Sequence, residues 1–278
     1  MADAVSDERE IALERHFFNV ARLESINFER LTMQDPDELL KLDRNSRSPG
    51  FFYLDLNSDS RYLDNLQAIY GASQRYFAQS TETKMKDFRP SNDRGYKPGE
   101  AETFEISRDE LMKGLPVIPE AVDQSRHMIE SFITSSHHIV HVLLSCLSSL
   151  LGQNLGAIHR EGYPSNCGLK LESVPLEARR EDVPPSEHTD QGSLTLLFCP
   201  QYTTEIQVPG TKEWGFIVPK SGCAIVNIAD SLEIFSNREL HSCLHRVGQP
   251  TPGAGERHCI LYYLRPEGSE DGIGVATT

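Results

Sequence analysis

His188-Thr189-Asp190-Gln191-Gly192-Ser193-Leu194-Thr195-Leu196-Leu197-Phe198-Cys199 is a polar turn that runs into an apolar strand. Residues i and i+2 of an extended chain point to the same side. His188 and Asp190 can therefore face one interior together while Thr189 faces away. Two imidazoles and one carboxylate are the minimal protein ligand set for a non-haem Fe(II) centre, because they hold one face of an octahedron and leave three positions open. A lone His-x-Asp is a weak signal, and the missing imidazole must come from another strand. His245, in Leu244-His245-Arg246-Val247, is the best-placed candidate.

Outward from this stretch, everything after Gly162 has the same character. Short apolar runs at Leu169 to Leu171, Leu194 to Cys199, Ile206 to Val208, Phe216 to Val218, Ala224 to Ile228 and Cys259 to Leu264 are separated by Gly, Pro and polar turns. That pattern predicts a strand-rich double-sheet or jelly-roll core. The preceding half reads differently. Asp35 followed by Pro36 and Glu38 starts a helix with a side-chain cap and a proline at its first position. Pro49-Gly50 breaks the chain, Phe51 to Leu56 reads as a strand, and Asn57 to Ser60 caps a helix running towards Phe77. Lys86 to Gly99 reads as loop. Apolar residues at helical spacing predict one long helix from about Glu120 to Leu151, stopped by Gly152. The fold expected is mainly β with flanking helices: a helical and mixed region over 1–160 packed on a jelly-roll core over 161–278, in one structural unit.

Composition narrows the function classes. The chain has 278 residues, 38% hydrophobic and 24% charged, with a net charge of −14. That balance argues against nucleic acid, whose affinity comes mainly from Lys and Arg neutralising phosphates. No apolar run reaches the ~20 residues that a membrane-spanning helix needs, and the acidic N-terminus does not read as a secretory signal. Six scattered cysteines with no Cys-x-x-Cys pair read as free thiols in a reducing, cytoplasmic setting. His137 and His141 lie at i, i+4 and share a helix face that could grip zinc. No acid sits within that turn and no further ligand is evident, so polar helix surface is the plainer reading. His241 is a possible decoy for His245, and His258 should point to the opposite side of its strand from Arg257.

At this point the motifs match a family. Ser48-Pro49-Gly50-Phe51-Phe52-Tyr53, Tyr76-Phe77 followed by Glu82 and Lys84, Gly95-Tyr96, and the stretch from His188 to Leu197 recur in order. Ile206-Gln207-Val208, Trp214 and Pro219, then Asn227-Ile228-Ala229-Asp230, Ser236-Asn237 and Leu244-His245-Arg246-Val247, complete the pattern. The chain resembles the iron(II)- and 2-oxoglutarate-dependent oxygenases of the isopenicillin N synthase-like family over nearly its whole length. The resemblance implies a distorted double-stranded β-helix with an N-terminal helical region. It implies His188, Asp190 and His245 as metal ligands, with Fe(II), 2-oxoglutarate and O2 as cofactor and co-substrates. The family's Arg-x-Ser, whose arginine pairs with the distal carboxylate of 2-oxoglutarate, falls at Arg257-His258-Cys259. A buried carboxylate needs a partner, and a planar guanidinium can hold it through two parallel hydrogen bonds.

This chain departs from the pattern in two hydroxyls. Cys259 stands for the family's serine, and Val174-Pro175 for its Tyr-Pro, at a cost of about 0.5–1.5 kcal/mol for each ordinary hydrogen bond lost. Few residues follow Pro266, so a C-terminal helix covering the site is expected to be absent or short. The leading expectation is a 2-oxoglutarate-dependent dioxygenase that hydroxylates, desaturates or otherwise oxidises a small molecule, with secondary metabolism favoured by analogy. Its competitors are an Fe(II)/O2 oxidase without 2-oxoglutarate and a non-catalytic binding module. Candidate pocket walls are Tyr96, Phe104, Leu196, Phe198 and Tyr263, each with core packing as the competing reading. Arg108 and Lys97 could hold an acidic substrate or be solvated charges.

Overall fold

Period-two alternation along the strands sorts side chains onto the two faces of one large sheet. The computed structural model describes residues 19–90, 94–99, 101–115, 118–174, 187–247 and 257–268. In chain order its strands and α-helices are β1 (Ser25–Asn27), α1 (Phe28–Thr32), α2 (Pro36–Arg47), β2 (Phe51–Asp55), α3 (Ser60–Phe77), α4 (Thr81–Lys84), β3 (Gly95–Lys97), β4 (Glu102–Ser107), α5 (Arg108–Met112), α6 (Glu120–Asp123), α7 (Arg126–Leu151), β5 (Gly168–Val174), β6 (Leu194–Phe198), β7 (Thr204–Gln207), β8 (Trp214–Phe216), β9 (Cys223–Ile228), α8 (Asp230–Phe235), β10 (His245–Val247) and β11 (Arg257–Leu264). Eight strands form the major sheet in the order β1-β2-β9-β6-β11-β5-β4-β3, and β10-β7-β8 form a minor sheet. Strands from both sides of residue 160 share the major sheet.

The helices cover one face of the major sheet. Leu194, Leu196 and Phe198 of β6 share a buried cluster with Ile260, Tyr262 and Leu264 of β11 and with residues of α3 and α7. Tyr62 stacks on Phe132 at 4.7 Å, and Phe132 meets Phe198 edge-on at 5.8 Å. The Tyr62 hydroxyl shares a 2.8 Å hydrogen bond with the Ser136 hydroxyl, which removes the penalty of burying either group alone. The other face carries Leu197, Cys199, Phe51, Tyr53, Ile225 and Cys259, packed against Ile206 of β7 and Ile217. The minor sheet thus closes over the inner face of the major one.

Local expectations are realised with three adjustments. Asp35 caps α2 by accepting from the amides of Asp37 and Glu38, and Asp59 caps α3. The long helix is broken: Glu120–Asp123 and Arg126–Leu151 are separate, and Gly152 ends the second in a left-handed conformation. The polar segment expected to be loop contains β3, which pairs with β4 in the register Tyr96↔Phe104. Neither β1 nor β4 was anticipated; β4 alternates too weakly to be read alone and is fixed by pairing with β5. Among the described residues, no helix is long and apolar enough to cross a membrane.

Candidate metal centre

Three backbone arrangements bring the ligand-type side chains together. His188 and His245 form an antiparallel bridge, each amide donating to the other's carbonyl at 2.9 Å. Asp190 lies two residues beyond His188, where the chain enters β6. Its carbonyl accepts from the Asp230 amide at 3.0 Å, anchoring the turn to the start of α8. Asp230 also accepts from the Thr189 hydroxyl at 3.1 Å and the Ser242 hydroxyl at 2.7 Å. One carboxylate therefore ties together the two segments that carry the ligands.

The resulting geometry is that of a metal site. Nε2 of His188 lies 3.7 Å from Asp190 Oδ1, and Nε2 of His245 lies 3.5 Å from the same oxygen. Among the described residues, His188, Asp190 and His245 are the group whose ligand atoms all fall within 4.8 Å of one another. The supporting contacts aim those atoms. Asp190 Oδ2 accepts from the Thr195 hydroxyl at 3.0 Å and the Asn227 amide at 2.9 Å, which leaves Oδ1 for the histidines. Nδ1 of His245 lies 3.1 Å from the Cys243 carbonyl, so it carries the proton and Nε2 keeps its lone pair. Phe51 packs edge-on against the His245 ring at 5.4 Å. Burial pushes the Asp190 carboxyl up. Hydrogen bonding and charge from His245, with the Asn227 and Thr195 donors, outweigh it and hold the group well below the usual carboxylate range. Burial pulls the other way on His245, and Asp190 raises it. With His245 neutral, a divalent cation can take the place between Nε2 and Oδ1 that the second proton of its charged form would hold. A borderline-to-hard N2O donor set with His188 half-exposed fits ferrous iron with open positions.

Arg257 opens β11 opposite Val174 of β5 and is buried. Its Nη2 lies 3.1 Å from Glu172 Oε1, while its buried Nε has no hydrogen-bond partner among the described residues. Burial opposes its charge, and Cys259, Glu172 and Cys199 more than restore it. Cys259 does not simply stand in for a serine. Its thiol interacts with Cys199, and this, against burial and with help from the Arg257 charge, brings the Cys199 thiol down to about 6. A guanidinium with an unmet donor is a fitting partner for an incoming carboxylate. Pro175 and the residues after 268 lie outside the described residues, as does any cover that they supply.

The structure separates the pocket candidates. Tyr96, Phe104, Leu196 and Phe198 are buried in the helix-side cluster, on the face away from the ligands. Their alternation in β3, β4 and β6 sends them outward, and Tyr76 packs against Phe104 at 4.8 Å. Only Tyr263 lies on the inner face, paired with Thr195 and flanked by Lys170 at 5.9 Å and Arg265 at 4.7 Å from its ring. His241 is held apart near Glu233, and His258 lies 6.4 Å from Phe77 on the helix side. Lys97 donates to the Arg94 carbonyl and Arg108 to Glu161. Thr195, Asn227, Glu172 and Cys199 were not singled out for these roles. Glu172 shares a face with Arg257's strand partner Val174 by i+2 alternation, whereas Asn227 meets Thr195 only through the pairing of β6 with β9, which no local spacing encodes.

Residues 165–266 match the model of the 2OG-Fe(II) oxygenase superfamily. The 2-oxoglutarate-dependent dioxygenase frbH of Dothideomycetidae sp. (strain 11243) is 30% identical over 267 residues, covering 90% of this chain and 83% of that one. The 2-oxoglutarate-dependent dioxygenase gloE of Glarea lozoyensis is 30% identical over 264 residues, covering 88% and 80%. The structure of the dioxygenase for auxin oxidation 1 from Arabidopsis thaliana, as a binary complex with 2-oxoglutarate, superposes with a TM-score of 0.74 at 17% identity, over 88% of this chain and 93% of that one. These relatives favour the dioxygenase over an oxidase without 2-oxoglutarate or a non-catalytic module. The chain belongs to the 2OG-Fe(II) oxygenase superfamily and is a 2-oxoglutarate-dependent dioxygenase that works with ferrous iron and O2.

Proposed function

We propose that His188, Asp190 and His245 hold the ferrous ion, that Arg257 receives the distal carboxylate of 2-oxoglutarate, and that the enzyme oxidises a C–H bond of a small molecule. The observation that carries this is the convergence of the three ligand atoms with an under-satisfied, buried arginine on the same inner face. Bound iron, with 2-oxoglutarate as the co-reductant, would activate O2, which supplies the oxidising equivalents. The chain's own residues do the positioning. Thr195 and Asn227 fix the carboxylate, Cys243 fixes the His245 tautomer, and Phe51 limits its ring's motion. Apolar Leu197, Ile206 and Ile225 exclude water from the interior between the sheets.

Tyr263, with Lys170 beside it, is the wall that we assign to the substrate, because it sits across from Thr195 and thus beside Asp190. The net charge of −14 supports a small molecule over nucleic acid. A biosynthetic role rests on the fungal dioxygenases among the relatives. Six free thiols fit a reducing, cytoplasmic compartment. The test is succinate formation from 2-oxoglutarate with Fe(II), run with and without candidate small molecules. Activity that needs iron and is lost in His188→Ala and Asp190→Ala supports the assignment. Turnover that persists in both variants overturns it.

A further inference from the structure

A second group of metal-type ligands lies outside the iron triad, on the helix side of the major sheet. His137 and His141 sit on successive turns of α7 with ring centroids 4.4 Å apart. The chain after α7 returns His159 and Glu161 to the same place. The His141 and His159 centroids are 6.4 Å apart, and Nε2 of His137 lies 3.7 Å from Glu161 Oε2. All four line a cavity of about 190 Å³ together with Arg108 and Cys167. We propose that His137, His141, His159 and Glu161 form a second metal site, for a divalent transition ion of the zinc type.

Three features favour this over an ordinary polar cluster. The distances bracket what a tetrahedral ion requires: with Zn–N near 2.0–2.1 Å, ligating rings have centroids about 5 Å apart and their donor atoms are about 3.3 Å apart. His159 is nine-tenths buried and lines the cavity, and among the described residues neither of its ring nitrogens finds a well-formed hydrogen bond, although the Arg265 backbone is close by. Burying such a group without a partner costs about 1–3 kcal/mol, which a ligated ion would offset. The surroundings also resemble a metal's supporting contacts. Nδ1 of His137 lies 2.8 Å from the buried Tyr262 hydroxyl, leaving Nε2 towards Glu161. Arg108 donates to Glu161 Oε1 at 2.9 Å, leaving Oε2 towards His137.

Burial keeps these imidazoles neutral near pH 7, the form that ligates a metal: His137 is pulled down to about 3 and His159 to about 4. The Arg108 charge opposes a cation, and Glu161 with Asp109, 3.9 Å from Arg108, offsets it. Among the described residues the iron triad alone has all its ligand atoms within 4.8 Å of one another, so closure here takes side-chain rotation. The cavity of about 190 Å³ has room for that movement.

Co(II) is the probe, because a four-coordinate ion absorbs visible light far more strongly than a six-coordinate one. The full chain carrying His188→Ala and His245→Ala should retain one equivalent of Co(II) through gel filtration, with the strong absorption. Adding His137→Ala and His141→Ala should remove both. The unaltered chain gives a readout that needs no variant to fold: the strong four-coordinate absorption is expected for one of its Co(II) equivalents, and its absence overturns the proposal. Loss of all Co(II) from the His188→Ala/His245→Ala protein, or its persistence after removal of His137 and His141, also overturns it. Failure of the iron assignment would leave the second site's signal untouched.

Discussion

Replacing Asn227 with alanine tests whether the metal centre is built from the inside outward. Asn227 is 3% exposed, and its side-chain amide donates to Asp190 Oδ2 at 2.9 Å. A hydrogen bond to a charged group is worth about 1.5–3 kcal/mol, and each 1.4 kcal/mol is about tenfold in affinity. Thr195 remains on the same oxygen at 3.0 Å, so Asn227→Ala alone should fall near the low end, with about tenfold weaker Mn(II) binding. Adding Thr195→Val, which keeps the side chain's shape, frees the carboxylate to rotate and should bring the total loss to about 100-fold. Titration calorimetry of Mn(II) into the metal-free protein reads both values, with circular dichroism as the check on folding. If both variants stay folded and bind Mn(II) within about twofold of the unaltered chain, the donors do not position Asp190 and the reasoning fails. A fall in stability with unchanged affinity would have the same meaning, because Asn227 would then serve only the turn between β9 and α8.

Other expectations follow from the same geometry. Arg257→Lys keeps the charge but removes the planar fork, so the KM for 2-oxoglutarate in the succinate assay should rise about 10–100-fold while Mn(II) affinity holds. Phe104→Ala should lower stability by about 3–5 kcal/mol in urea unfolding and leave the substrate preference of the folded fraction unchanged, since Phe104 packs on the helix side. Burial pulls His159 down to about 4 from an ordinary value near 6.5. The unfolded chain therefore takes up this proton first: the contribution is whole above pH 6.5, shrinks as pH falls, and levels off below about 4. Metal-free protein should lose about 1.4 kcal/mol per pH unit through this one residue, so the stability gap between it and His159→Gln should narrow between pH 6.5 and 4.5.

The buried Arg257 shows how far the departures from the family's motif reach. A guanidinium removed from water is costly unless paired. With Val174 opposite and Cys259 two residues on, no hydroxyl is offered to a co-substrate carboxylate from these positions. Glu172 holds one end of the guanidinium at 3.1 Å, and the low-lying Cys199 thiol adds negative character nearby. The arginine is thus charge-balanced before 2-oxoglutarate arrives. Its Nε remains the unmet donor, so the carboxylate gains a specific hydrogen bond rather than the rescue of an uncompensated charge. Binding then contributes less net energy than it would at a bare arginine, and this lower gain goes with a site that is stable when empty.

What was legible in the sequence, and what was not, comes down to the two-residue period of a strand. His188 and Asp190 could be read together because one spacing rule places them on one side, and Arg257, Cys259, Leu261 and Tyr263 followed the same rule. The same rule run on from Asp190 puts Leu196 and Phe198 on the ligand side, but the bend over 191–193, with Gly192 at a φ of 107°, shifts the phase by one residue. Counted from Thr195, whose hydroxyl reaches Asp190, they are one residue out of phase, and they pack against Phe132 and the helices. Tyr96 and Phe104 could not be phased at all, because β4 is defined by pairing with distant β5, and β3 by pairing with β4, rather than by their own pattern. The histidines of α7 fail for a related reason. Their i, i+4 spacing is visible, but His159 and Glu161 reach them only because the chain folds back under β11, a contact that no local period encodes. Local periodicity tells which residues share a face, and only the register between distant strands tells what that face looks onto.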